Sequence, residues 1–127
     1  MDRARVLLAE DHAGVAAQLR ALLEPEFEVM TTVGDGYAML GAARALQPDV
    51  IVTDVAMPLL DGMSAAEELL RDDPEARVVF VSVHRDAALV QRGMEVGALA
   101  YVSKLTAGND LVPAVRAALR GERSVSL

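Results

Sequence analysis

Val50-Ile51-Val52-Thr53-Asp54-Val55-Ala56-Met57-Pro58-Leu59-Leu60-Asp61-Gly62 is the stretch on which the fold of this chain turns. Four apolar or β-branched residues run up to an acid, which suits a strand covered on both faces with a carboxylate at its end. Pro58 presets a tight loop and Gly62 can take a backbone angle that other residues resist, so a turn and a new element follow. The same design recurs on either side. Val6–Ala9, Val29–Val33, Val78–Val81 and Leu99–Val102 are further short, apolar, mostly valine-rich runs. Between the runs lie longer stretches with helical spacing. Val15, Leu19, Leu22 and Leu23 share one face in the first, and Tyr37, Leu40 and Ala43 in the second. Met63, Ala66, Leu69 and Leu70 mark the third, Leu89, Val90 and Val96 the fourth, and Leu111, Val112, Val115 and Leu119 the fifth.

Pro25, Pro48 and Pro74 each stand just before the next strand, where proline stops a helix because it cannot continue one. Gly97 terminates the fourth helix in the same way. Asn109 or Asp110 is expected to cap the last helix, with Pro113 in its first turn. The pattern is βα five times over in a single domain. Right-handed crossovers then give a doubly wound parallel α/β sheet of order 2-1-3-4-5. Ligands of such sheets sit beyond the carboxyl ends of the strands, where the order reverses. That point lies beside the ends of strands one and three.

Glu10 and Asp11 follow the first run and Asp54 ends the third, so three carboxylates are expected at that edge. One acid after a strand is usually a helix cap or turn residue. Three together raise one another's pKa and need a cation or a proton. Oxygen-only ligands favour Mg²⁺, with Mn²⁺ as the alternative. A carboxylate can also attack phosphorus to give an acyl phosphate, and Asp54 has the direction fixed by a strand end. Ser82 ends the fourth run and Lys104 follows the fifth. Each alone is bland, since such serines bond local backbone and lysines are solvated. Together they offer a hydrogen-bond donor and a point positive charge to a phosphoryl group.

These residues in this order resemble the receiver domain of two-component response regulators, over essentially the whole chain. The resemblance rests on Glu10-Asp11, on Asp54 through Gly62, on Ser82, and on the pair Tyr101 and Lys104. Gly97-Ala98-Leu99-Ala100-Tyr101-Val102-Ser103-Lys104 is similar to the NarL/LuxR-type branch. The resemblance implies a flavodoxin-like (βα)5 fold and a signalling role in transcription regulation. It implies Asp54 as phospho-acceptor, with Glu10, Asp11, Asp54 and the backbone carbonyl of Ala56 holding Mg²⁺. Lys104 would pair with the phosphoryl group and Ser82 bond one of its oxygens. Tyr101 would be the switch aromatic, turning inward as Ser82 is drawn to the phosphate. Ala56 and His84 would flank the water that hydrolyses the acyl phosphate, and His12 would merely open the first helix. The donor would be a sensor histidine kinase or phosphotransfer protein, with homodimer formation on activation as a further expectation.

Two positions depart from the family pattern. Leu105 stands where many members carry a cis proline, and a cis bond before leucine would cost ~2.5–4 kcal/mol, so trans is expected. Val83 replaces the usual alanine or glycine after the hydroxyl residue, and its branched side chain is expected to narrow access to Asp54.

Composition bounds the alternatives. The 127 residues are 53% hydrophobic, enough for one core without a staple. The chain has no cysteine, which excludes disulfides and thiolate chemistry. No signal peptide or membrane-length apolar stretch is legible, so a cytoplasmic domain away from the membrane is expected. A formal charge of −7 speaks against direct nucleic-acid binding. A haloacid-dehalogenase-type phosphohydrolase would need a second acid two residues after Asp54, where Ala56 stands. A flavodoxin-like cofactor binder would need aromatics to bracket a flavin, and Phe27, Tyr37, Phe80 and Tyr101 do not form such a pair in sequence. A degenerate receiver acting only as a binding module would lack some of the polar set, all of which is present. Residues 1–122 are expected to form the receiver and 123–127 a tail or the start of a linker. An output domain with a helix-turn-helix would follow in cis if the chain is a fragment. No turnover enzyme is expected.

Overall fold

The computed structural model describes residues 2–127. The strands are β1 (Arg5–Ala9), β2 (Glu28–Val33), β3 (Val50–Asp54), β4 (Val78–Ser82), β5 (Ala100–Ser103) and β6 (Ser124–Ser126). The helices are α1 (Ala13–Leu23), α2 (Gly36–Leu46), α3 (Gly62–Asp72), α4 (Ala87–Glu95) and α5 (Ala107–Leu119). All strand pairs are parallel, in the order β2-β1-β3-β4-β5-β6. Five strands follow the expected order, and Ser124–Ser126 adds a sixth beyond β5, where the sequence suggests only a tail.

Each strand has two covered faces, which is why the runs are apolar almost throughout. Leu8, Val52, Val81 and Val102 face α1 and α5 in one core cluster, with Leu19, Leu23, Leu111 and Val115. Leu7, Ile51, Phe80 and Tyr101 face the other way, against Met39, Met63, Ala66 and Leu69 of α2 and α3. The reversal between β1 and β3 leaves room at their carboxyl ends.

Helix ends follow the local signals in most places. Asp35 and Asp61 cap α2 and α3, accepting from Ala38 N (2.8 Å) and Ser64 N (2.7 Å). Gln47 closes α2 in a left-handed conformation just before Pro48, and Gly97 does so beyond α4 with φ of 110°. His12 is the N-cap of α1, accepting at Nδ1 from Val15 N.

Two local expectations fail, at Tyr37 and at the start of α5, and α4 packs more lightly than the other helices. Tyr37 is 62% exposed; Met39 takes its place against the sheet with Leu40 and Ala43. A ring in the first turn of α2 falls outside the covered stripe. Helix α5 starts at Ala107 behind Thr106, not at Asn109 or Asp110, so Pro113 lies inside the helix. Asn109 N and Asp110 N both donate to Thr106 O, drawing the first turn upstream. Helix α4 buries only Gly93, its Leu89, Val90 and Val96 being half-covered. A side chain at Gly93 would come 3.1 Å from the Phe80 ring and 3.3 Å from Tyr101, so α4 lies directly on those rings.

Candidate functional site

The carboxyl ends of β1, β3, β4 and β5 bring together residues scattered over the whole chain. Parallel pairing sets Ala9 against Thr53, Asp54 against Val81, and Ser82 against Ser103. Glu10, Asp11, Asp54, Ser82 and Lys104 therefore stand along one edge. One oxygen from each of Glu10, Asp11 and Asp54 lies within 4.8 Å of the others. Glu10 and Asp54 are buried while Asp11 is exposed, so the pocket opens to solvent on the Asp11 side.

Lys104 reaches into this cluster. Its Nζ donates to Asp54 Oδ2 at 3.0 Å and lies 2.5 Å from Glu10 Oε1. The second contact is a close ion pair, and among the described residues Glu10 Oε1 has no aligned hydrogen-bond donor although it is buried. Burial alone would push the Lys104 ammonium down, but the neighbouring carboxylates of Glu10 and Asp54 outweigh it and hold the pKa above its ordinary value. Lys104 is thus firmly charged and bridges two of the three acids. A sequence reading gives it a phosphoryl role only; the signal for the bridge is an ammonium placed among more acids than one lysine neutralises.

The donor set fits a hard divalent cation. It is all oxygen, it is compact, and it includes a buried carboxylate oxygen short of a hydrogen-bond donor. The other Glu10 oxygen, Oε2, accepts from His12 N at 3.0 Å, which fixes the rotamer that points Oε1 inward.

Two backbone features hold Asp54 in place. Gly62 N donates to Val55 O at 2.8 Å, and a Cβ on Gly62 would lie 1.8 Å from Asp54 O. Only glycine allows the start of α3 to fold back so closely on the end of β3. Ala56 N reaches Asp54 Oδ1 at 3.4 Å, so one carboxylate oxygen faces the loop while the other faces Lys104. Leu59, in the same loop, has φ of 68° and is 82% exposed, a feature its sequence context does not announce.

Ser82 is fully buried, and its Oγ accepts from His84 N at 3.0 Å. His84 O in turn accepts from the Tyr101 hydroxyl at 2.7 Å. The Tyr101 ring is already fully inside, 6.2 Å from Phe80, so no inward swing is needed to reach this arrangement. Burial raises the Tyr101 pKa, the Ser82 hydroxyl opposes that, and Asp86 and Asp54 add to it. Val83 is half-exposed and faces a groove with Val15 and Leu22 of α1 and with Leu105. Ala56 and His84 line a cleft on the other side of Asp54, with Met63 and Leu89. The bond before Leu105 is trans, there being no cis peptide among the described residues. Leu105 N donates to the buried Ser103 Oγ at 3.2 Å, a bond proline could not make.

A doubly wound parallel α/β domain with a carboxylate pocket and a lysine at its switch point is the class that this fold and site define. Residues 6–116 match the family described as the response regulator receiver domain, and the chain belongs to that family. It is 35% identical over 120 residues to the transcriptional regulatory protein LiaR of Bacillus subtilis, covering 93% of this chain and 57% of that protein. It is 32% identical over 123 residues to YxjL of the same organism, an uncharacterized transcriptional regulatory protein, covering 95% of this chain and 56% of that one. Among solved structures, a LuxR-family two-component response regulator from Aurantimonas sp. superposes with a TM-score of 0.92 at 30% identity, covering 99% of this chain and 90% of that one. The relatives are NarL/LuxR-type response regulators. The chain spans less than three fifths of the length of these curated relatives. Nothing in the site favours the phosphohydrolase alternative, since Ala56 occupies the place of its second acid. Among the described residues no helix is long and apolar enough to cross a membrane.

Proposed function

We propose that Asp54 accepts a phosphoryl group from the phosphohistidine of a sensor kinase or phosphotransfer protein, in a Mg²⁺-dependent step. The observation that carries this reading is the meeting of Glu10, Asp11 and Asp54 within 4.8 Å, with Lys104 on the buried side. An Asp54 oxygen forms the new bond to phosphorus, and the bond from phosphorus to the donor imidazole nitrogen breaks with its electron pair leaving on that nitrogen. Glu10, Asp11, Asp54 and the Ala56 carbonyl would hold the cation, which neutralises charge on the transferring oxygens. Lys104 orients and balances the phosphoryl charge, and Ser82 donates to one of its oxygens.

Shifting a two-state equilibrium from 1:99 to 99:1 takes ~5.5 kcal/mol, whereas one hydrogen bond to a charged group supplies ~1.5–3 kcal/mol. Ser82 therefore acts with Lys104 and the cation. Their pull is transmitted through His84 and Tyr101 to the face made by α4 and β5. Ala56 and His84 tune the lifetime of the acyl phosphate from the cleft they share, and Val83 tunes entry. Residues 1–122 are the phosphoacceptor unit. In a longer protein it would work in the cytoplasm on an output domain, a helix-turn-helix in the relatives' branch, with dimerisation on activation. The group formed on Asp54 is a signal rather than a turnover product.

Phosphotransfer from labelled sensor kinases, or labelling by acetyl phosphate, tests this directly. Wild type should take one label per chain with Mg²⁺ present, Asp54→Asn none, and Val83→Ala should label faster. Label retained by Asp54→Asn, or absent from wild type with every donor, overturns the reading.

A further inference from the structure

Residues 122–127 follow α5 and run back along the open edge of β5. Ser124 N donates to Leu99 O at 2.9 Å, and Ala100, Tyr101 and Val102 are in register with Ser124, Val125 and Ser126. Both ends of this short strand are tied down, the first to the end of α4 and the second to the loop that follows β4. Arg123 Nη2 donates to Met94 O in α4 at 3.0 Å, and Arg85 Nη1 donates to Leu127 O at 3.3 Å. Arg85 follows His84, whose carbonyl holds the Tyr101 hydroxyl and whose amide is bonded to Ser82. In-register neighbours in a sheet project from the same face, so Val125 stands beside the Tyr101 ring on the side that faces α4. Helix α4 covers the ring at Gly93, and the docked strand stands along the flank beside it.

We propose that the β5 edge is a strand-docking site whose occupant is residues 124–127 of this chain, and that the docked strand holds Tyr101 in its buried position. Val125 stands in register with Tyr101, so the docked strand closes that flank of the ring. The docked strand is also easily released. It has few backbone bonds to set against the entropy of ordering a segment, the Ser124 hydroxyl is buried without a partner, and Val125 and Leu127 remain half-exposed. Docking and occupation of the Asp54 site are therefore linked through Tyr101, His84 and Ser82, and linkage is reciprocal. The linkage rests on the phosphoacceptor reading; the hold on Tyr101 does not.

The chain has two tyrosines and no tryptophan, so Tyr37→Phe leaves Tyr101 as its only tyrosine fluorophore. In that background Ser124→Pro removes the bond to Leu99 O, and Val125→Gly removes the side chain beside the ring. Both changes lie on the periphery, and far-UV circular dichroism checks that the fold is kept. Iodide should quench Tyr101 roughly twice as strongly in either variant, with loss of amide protection in β5. Apparent affinity for beryllofluoride with Mg²⁺ should fall about fivefold. Unchanged quenching in both variants overturns the hold on Tyr101, and unchanged beryllofluoride affinity overturns the linkage. Stronger quenching in chains that bind no beryllofluoride at all supports the strap and refutes the phosphoacceptor reading.

Discussion

Single residues carry the tightest constraints in this domain. Leu59 keeps a left-handed backbone at φ 68° with its side chain in solvent, so it is strained without a compensating burial. The conformation costs an L-residue roughly 1–2 kcal/mol, partly offset because glycine has more unfolded-state entropy to lose. Leu59→Gly is therefore predicted to be stabilising by up to about 1 kcal/mol, and Leu59→Val destabilising, with β-branching the cause. Urea titrations of the two variants check the order, and a less stable glycine variant contradicts the argument. Tyr101 sets a second prediction. Its phenol titrates above the ordinary value of 10.0 when folded, so the unfolded chain loses that proton first. Stability must then fall as pH rises past the unfolded value, and level off beyond the folded one. Lys104 adds a limb of the same sign, because its raised folded pKa gives stability that is full below 10.5 and lost as pH climbs through the folded value. Thermal melts from neutral to strongly alkaline pH should show both limbs in wild type and only the lysine limb in Tyr101→Phe.

At the scale of elements, α5 departs most from what its residues announce. Pro113 sits well inside a 13-residue helix, where the carbonyl of Asn109 has no amide to receive and the ring crowds the preceding turn. The position is exposed, so nothing in the packing favours proline there. Pro113→Ala is predicted to raise stability by about 1–3 kcal/mol, seen as a higher urea midpoint at unchanged slope. The same helix shows where sequence legibility ends. The five apolar runs and the proline stops located the first five strands within a residue or so, because a strand buried on both faces admits almost no polar substitution. Helix starts are softer. Thr106 begins α5 through its backbone carbonyl alone, with no side-chain bond, so Asn109 and Asp110 looked like better caps than they are. Strand β6 carries a single apolar residue, Val125 between two serines on a sheet edge, too short a run to read as a strand before tertiary contact makes it one. At the site, Glu10, Asp11, Asp54, Ser82 and Lys104 were legible because each ends or follows an apolar run. The His84 carbonyl and the Leu59 backbone were not, since neither depends on a side chain.

For the whole molecule, the decisive quantity is how much negative charge is gathered at one end of the sheet. The chain carries a formal −7, and the acids of the site join the adjacent Glu10 and Asp11 to Asp54, which chain order alone would leave far from them. Folding must bring them together against their repulsion, and Lys104 meets only part of that cost because it bridges Glu10 and Asp54 while Asp11 faces water. A divalent cation that binds the folded pocket and not the unfolded chain contributes RT ln(1 + [L]/Kd), about 2.7 kcal/mol at a hundredfold excess over Kd. Mg²⁺ is therefore predicted to raise the melting temperature by several degrees. General screening of a charge of −7 would also stabilise the fold, so the two causes must be separated. NaCl at matched ionic strength should reproduce only a small part of the rise. Asp11→Asn should remove the Mg²⁺-specific part, while Asp73→Asn, an exposed acid in the turn after α3, should keep it. Lys104→Met should strengthen the Mg²⁺ effect, because the competing ammonium has gone from Glu10 Oε1, even as it weakens the hold on a phosphoryl group. A rise equal in NaCl and MgCl2, or one that survives Asp11→Asn, would mean that the three acids are only neighbours and not a cation site.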